Sequence, residues 1–218
     1  MKAILPIIPV IALISGLQAD EAAPKATSKH FANIVDIEAK FQPTPNFQAR
    51  GPGAKEVDPR TWLEIEAELE LKTIDPSGYI PQLEANWYAI VYEEDPKTKQ
   101  KKPVQLTGTS VFKDIRVRKD GKAFISAYIE PKTLEHYFGD NRMSVRRDFQ
   151  AFAVTLSGKD LFIDKKTGQG PFMATDKQET KWWSNWKDSY VSDSIVAKSK
   201  TPFKLMWLDR YPTEQKEE

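Results

Sequence analysis

The sequence predicts an all-β protein, an antiparallel β-sandwich carrying one short helix and long loops. Three observations point there: a strict two-residue alternation at Thr61–Thr73, a series of apolar and aromatic segments separated by turn residues, and a single convincing helical pattern at Pro131–Phe138. A parallel α/β sheet would need a crossover helix between most of its strands, and the sequence offers no such series of helices.

In the segment TWLEIEAELELKT, Leu63, Ile65, Ala67, Leu69 and Leu71 occupy odd positions while Glu64, Glu66, Glu68 and Glu70 occupy even ones. Successive side chains of a strand point to opposite faces, so one face is apolar and the other carboxylate. Glu and Leu favour helix intrinsically, but a helix would spread these residues around every side, and the period overrides the propensity. The glutamate row is expected to be a solvated face that guards an edge against aggregation. A Ca²⁺ or acid/base site is disfavoured, because paired catalytic carboxylates flank a cleft.

The remaining elements follow in order. Phe31–Phe41 supplies the first strand, and Asn86–Glu93 reads as an aromatic, β-branched strand closed by Asp95-Pro96. Lys97, Lys99, Lys101 and Lys102 then make a solvated loop. Val104–Val117 can supply one long strand or two short ones, and Lys119-Asp120-Gly121 predicts a hairpin turn into Ala123–Ile129. Pro131–Phe138 is the helix, with Pro in its first turn and Gly139 as its stop. Ser144–Leu156 reads as a strand buried on much of both faces, and Leu161–Ile163 and Phe203–Leu208 complete the set. Arg146 and Arg147 are expected to pair across strands with the glutamate row.

The amino terminus carries a minimal positive region, Met1-Lys2, an apolar stretch Ala3–Leu17, and Leu17-Gln18-Ala19 before Asp20-Glu21. This pattern predicts a secretory signal peptide over residues 1–19, its apolar core being shorter than the roughly 20 residues of a membrane span. Residues 20–30 follow as a flexible segment, 31–212 as one sandwich domain and 213–218 as a charged tail. The 32 Lys plus Arg against 31 Asp plus Glu leave a formal charge of +1, which becomes zero once Lys2 is removed. That balance argues against a dedicated nucleic-acid or polybasic membrane binder and offers no long-range steering toward either. The absence of Cys excludes disulfides, thiolate metal sites and thiol catalysis.

Few residues suit catalysis. There are two histidines, His30 and His136, with no nucleophile or zinc motif beside them. Gly51-Pro52-Gly53 and Gly168-Gln169-Gly170 are turns and do not continue as phosphate loops. The sequence assigns no catalytic residue, no cofactor and no metal site. The candidate ligand or partner surface is aromatic: Trp182, Trp183, Trp186 and Tyr190 in KWWSNWKDSY. Flat rings can hold sugars, yet Trp182, Trp186 and Tyr190 also fall at helical spacing and could dock a helix on the core.

The stretches TWLEIEAELELKT, NWYAIVYEED, SVRRDFQAFAVTLSG and KWWSNWKDSY resemble the exported immunoglobulin-like protein encoded beside type IV pilus assembly genes in mucin-degrading Verrucomicrobia. The resemblance implies an immunoglobulin-like sandwich in the periplasm, on the outer membrane surface or outside the cell. It implies a non-enzymatic protein whose partners are envelope or pilus-associated proteins, accessory to pilus assembly or adhesion. It carries no short functional motif, so no family site residues are transferred. The alternative is a carbohydrate-binding sandwich that holds a glycan on Trp182, Trp183 and Trp186. Neither reading calls for nucleic acid or for a transmembrane span in the mature chain.

Overall fold

The alternating segment forms strand β2, Thr61–Thr73, and its odd-numbered residues Leu63, Ile65, Ala67, Leu69 and Leu71 are all buried in the core. The other strands are β1 (His30–Pro43), β3 (Tyr79–Glu94), β4 (Lys101–Arg116), β5 (Lys122–Ile129), β6 (Ala151–Ser157), β7 (Phe172–Ala174), β8 (Ser189–Val191) and β9 (Ile195–Ala197). Two helices, α1 (Pro131–Phe138) and α2 (Val145–Asp148), lie between β5 and β6. The computed structural model describes residues 28–45, 58–139, 143–163, 170–176, 181–184 and 186–215. The predicted signal peptide, most of the segment after it, Gly51-Pro52-Gly53 and Gly168-Gln169 lie outside these.

The strands form two sheets, in the orders β1-β2-β5-β9 and β7-β6-β3-β4-β8. Without the two short late strands, the first, second and fifth face the seventh, sixth, third and fourth, the strand order of an immunoglobulin-like sandwich. Central strand β3 carries the fully buried Trp87, whose indole N–H donates to Ser110 Oγ at 3.2 Å. Leu63, Leu69, Leu106, Phe112, Ile125 and Val154 pack in the same core. In antibody domains a disulfide joins the sheets beside such a tryptophan; this chain has no Cys and relies on packing. Trp87→Ala should therefore cost about 3–5 kcal/mol, measured by urea unfolding.

Helix α1 matches the sequence reading. Gly139 ends it at φ 59°, its N–H donating to Glu135 O at 2.8 Å. The lysine segment is a loop only in its first half: the Asp95 carboxylate accepts the N–H groups of Lys97 and Thr98, both at 2.8 Å, whereas Lys101 and Lys102 already belong to β4, paired with Glu94 and Glu93; all four lysines are exposed. No helix among the described residues is long and apolar enough to cross a membrane.

Six local expectations are corrected. Gly121 makes its turn at φ 70°, but β5 leaves that turn to pair with β2, so the bend is an arch between sheets and not a hairpin. Turn chemistry sets the bend; it does not choose the next partner. The first part of Ser144–Leu156 is helix α2, because its charges satisfy one another locally: Ser144 N donates to Asp148 Oδ2 at 2.6 Å and Arg147 Nε to Asp148 Oδ1 at 2.7 Å. Arg147 therefore pairs within its own helix and not with the glutamate row. Leu161–Ile163 contributes only a bridge between Leu161 and His30. Phe203–Leu208 is not a strand, since Pro202–Leu205 forms a 3₁₀ turn capped by Thr201 Oγ1, which accepts the Phe203 N–H at 3.1 Å. Finally, β8 runs parallel to β4, which makes the second sheet mixed.

Both sheets have their outer faces partly covered by late chain. Residues 198–211 lie over the outer side of β2 and β5, where Phe203 stacks on Tyr128 at 4.8 Å and meets Trp62 edge-on at 5.9 Å, and the chain then bridges to β4 at Glu214 and Phe112. Residues 181–184 lie over the outer side of β3 and β4, and β8 extends that sheet at the β4 edge.

Candidate functional site

The alternation that sends Trp87, Val104 and Leu106 inward sends Asn86, Tyr88, Gln105, Thr107 and Thr109 to the outer face of β3 and β4. This strip is polar, with one aromatic ring. On it sits a 3₁₀ turn, Trp182–Ser184, which lays Trp183 against Tyr88 with ring centroids 6.1 Å apart and planes 28° from parallel. Gln105 Nε2 donates to the Trp183 carbonyl at 3.4 Å, tying the turn to the sheet. Phe172 of β7 closes the far side at 5.4 Å from Trp183, under the Lys181 ammonium 4.4 Å from its ring. Trp182 packs edge-on against Trp183 at 5.5 Å and Trp186 at 6.1 Å.

The four aromatic residues singled out from the sequence thus have different environments. Trp183 is a packing residue, 7% exposed. Trp182 and Trp186 are half-buried, and Tyr190 stands out on β8 at 68% exposure. No helix joins them, so their helical spacing is incidental; Trp186 is held by its own indole N–H, which donates to Ser189 O at 2.9 Å. Trp183, Trp186 and Tyr190 nevertheless converge on one groove of about 420 Å³, with Tyr88, Gln105 and Asp193 among its other walls. A second hollow of about 260 Å³ shares Tyr88, Trp183 and Ser184 and extends to Thr155 and Gly170.

Tyr88 and Gln105 escaped the sequence reading. The signal existed, because Trp87 inward on a strand requires Tyr88 outward. Burial pushes the Tyr88 phenol above its ordinary pKa, against a lowering hydrogen bond with Thr155 and with the help of the Glu84 charge. It stays protonated and can donate. Among the described residues that wall the larger groove Asp193 is the one charged group, so these walls present ring faces, amides and hydroxyls. Such a lining suits an uncharged polar ligand or a protein side chain that stacks.

The glutamate row is corrected on the opposite sheet. Glu64 and Glu66 are 1% and 7% exposed, because the carboxy-terminal segment covers them. Glu64 accepts from Tyr128 Oη at 2.6 Å, Gln42 Nε2 at 3.0 Å and Tyr211 Oη at 3.3 Å, with Lys40 Nζ at 3.4 Å. Arg210 grips Glu66 with two bonds of 2.7 and 3.0 Å, and Tyr211 donates to the same carboxylate. Burial would raise the Glu66 pKa, but the Arg210 and Tyr211 hydrogen bonds outweigh it and hold the group below its ordinary value. Burial and the neighbouring carboxylates push the Tyr128 and Tyr211 phenols up. Glu68 pairs with Lys122 at 2.8 Å. Glu64 and Glu66 thus clamp the carboxy-terminal segment, while Glu70, like Glu68, stays partly exposed and pairs with a lysine, Lys72 at 2.7 Å.

Neither histidine lines the groove. His30 opens β1, buried, with Nδ1 2.9 Å from Thr73 Oγ1, and His136 lies in α1 against the edge of Tyr137. Among the described residues no group of three His, Cys, Asp or Glu is placed to hold a metal ion.

A protein-family model matches residues 23–218, and the chain belongs to the family that it describes. A crystal structure of a protein from Akkermansia muciniphila is similar, with a TM-score of 0.70 and 19% identity, over 87% of this chain and 95% of that one. At that identity the similarity establishes the fold, and it lies within the bacterial group to which the sequence resemblance pointed. No curated protein matches the chain.

Proposed function

We propose that this family member is a non-enzymatic binding protein of the cell envelope, exported by the signal peptide 1–19 and accessory to type IV pilus assembly or adhesion. The aromatic groove is where it engages its partner. The observation that carries the reading is Tyr190, 68% exposed beside Trp186 at the mouth of a polar, ring-lined groove. Tyr and Trp exposed at a concavity are the residues that most often anchor a partner. The pilus context is supported by the sequence resemblance.

The test is capture of pilus-associated proteins from an envelope extract by the mature chain and by a Trp186→Ala/Tyr190→Ala double variant. The variant should stay folded with at most a small drop in Tm, because Tyr190 is exposed and half-buried Trp186 lies outside the core, and should lose on the order of tenfold in capture, the usual effect of a central aromatic anchor. Equal capture would remove the groove from the interaction. Trp183→Ala is the wrong probe, since a buried ring that supports the turn should cost about 3 kcal/mol or more in stability.

A second reading is favoured by the lining itself. Stacked rings next to Asn86, Gln105 and Thr107, with Asp193 the only charge among the described walls, suit a pyranose ring. A glycan array separates the two: sugar binding at micromolar affinity with no pilus component captured would make this a carbohydrate-binding sandwich.

A further inference from the structure

The carboxy-terminal segment that clamps the first sheet leaves three large apolar side chains uncovered within four residues. Leu205, Trp207 and Leu208 are 67%, 41% and 64% exposed. They are rigidly presented. Trp207 sits at φ 53°, a conformation uncommon for a bulky residue. It is held there by Phe203, stacked at 6.3 Å and 9°, and by Tyr211, edge-on at 6.5 Å. Its carbonyl accepts the Arg210 N–H at 3.0 Å and the Tyr211 N–H at 3.3 Å. The Arg210 and Tyr211 contacts with Glu66 fix the base of this tip to the sheet.

The segment that carries the tip is basic. Lys198–Arg210 contains Lys200, Lys204 and Arg210 besides the buried Lys198, against the single acid Asp209. Leu208 also forms a wall of a cleft of about 590 Å³ whose other walls include Arg116, Arg118, Lys119, Lys122 and Arg210. Asp114 and Asp209 line it too. Lys122 and Arg210 are engaged by Glu68 and Glu66, and Arg118 donates to the Asp209 carbonyl at 2.5 Å. Arg116 and Lys119 remain exposed at the cleft.

We propose that this tip is a membrane-surface contact: Leu205, Trp207 and Leu208 enter the interfacial layer of an anionic phospholipid bilayer while the adjoining cleft receives a lipid phosphate. Apolar side chains including Trp, flanked by Lys and Arg, form the side-chain set that lies at a headgroup boundary. The charge complementarity selects an anionic surface over a neutral one. The chain as a whole is formally neutral after loss of Lys2, so attraction is local and acts within about one Debye length, roughly 8–10 Å at moderate salt.

Flotation of the mature chain with vesicles tests this, using equal parts phosphatidylglycerol and phosphatidylcholine against phosphatidylcholine alone. The wild type should float with the anionic vesicles and stay behind with the neutral ones. Leu205→Ser/Leu208→Ser should lower the bound fraction on the order of tenfold, as expected from the lost apolar insertion. Arg116→Ala/Lys119→Ala should lower it by a smaller factor that disappears at high salt. All four positions are exposed, so both variants should keep the wild-type Tm. No flotation of the wild type, or flotation indifferent to the leucine pair, overturns the proposal. So does stabilisation by inorganic phosphate without flotation, which would make the cleft a free-anion site. Sedimentation as a dimer that the leucine variant converts to monomer overturns it as well, as the patch would then bind a second copy. Pilus or glycan capture through Trp186 and Tyr190 should be unchanged in these variants.

Discussion

Glu64→Ala should destabilise the protein by about 3–5 kcal/mol, the usual cost of removing one partner from a buried charged network, and lower Tm by roughly 10 °C for a chain of this size. Glu64 is the shared acceptor for Tyr128, Gln42 and Tyr211 and lies 3.4 Å from the Lys40 ammonium. Its loss orphans a fully buried phenol on β5 and loosens Tyr211, which spans to Glu66. A paired Glu64→Leu/Tyr128→Phe change should cost much less, because it removes donor and acceptor together. A cost below about 1 kcal/mol for the alanine variant, the scale of a surface pair, would mean that the carboxy-terminal segment is not clamped as described. The pH dependence has a definite sign. The folded-state pKa of Glu66 is depressed from 4.5, so its contribution is complete above about pH 4.5 and is lost as pH falls through the lowered value. Urea midpoints in wild type should drop below that pH more steeply than in Glu66→Gln.

Gly108→Ala should be comparably damaging although it adds one methyl group. A Cβ there would stand 1.7 Å from the Ile195 carbonyl oxygen and 2.7 Å from its carbon, so backbone would have to move. The chain crosses from β8 in one sheet to β9 in the other at this point. It is pinned by Ser194 N donating to Thr107 O at 3.0 Å and Thr107 N donating to Ser194 Oγ at 3.1 Å. Overpacking of backbone against backbone costs about 3 kcal/mol or more, the upper end for such insertions. Because Tyr190 and Asp193 ride on the crossing segment, ligand capture should fall together with Tm. Trp186→Ala/Tyr190→Ala, by contrast, should lose capture with at most a small drop in Tm. A Gly108→Ala protein with wild-type Tm would contradict the close approach of β4 and β9.

The candidate site was only partly readable before folding. KWWSNWKDSY supplied three of the walls of the candidate groove, Trp183, Trp186 and Tyr190, but nothing local distinguished buried Trp183 from exposed Tyr190. Tyr88 and Gln105 join them only because β3 and β4 pair. The same limit applies to the acids: the even-numbered face of β2 reads as solvated until Arg210 and Tyr211, about 145 residues downstream, close over it.

By itself the sequence determined the all-β class, the inward face of β2, the turn at Asp95-Pro96 and helix α1 with its Gly139 stop. Each follows from side-chain period or backbone preference within a few residues, and such preferences act before any tertiary contact exists. Only the tertiary structure decided that the Asp120-Gly121 bend is an arch, that Glu64 and Glu66 are buried, and that the aromatic residues surround a groove. It also gathered cations beside Leu205, Trp207 and Leu208 in a chain of near-zero net charge. The physical reason is common to all four: strand partners and the covering of sheet faces are settled by surface burial between distant segments. A local pattern specifies that a face exists, and the rest of the chain specifies what meets it.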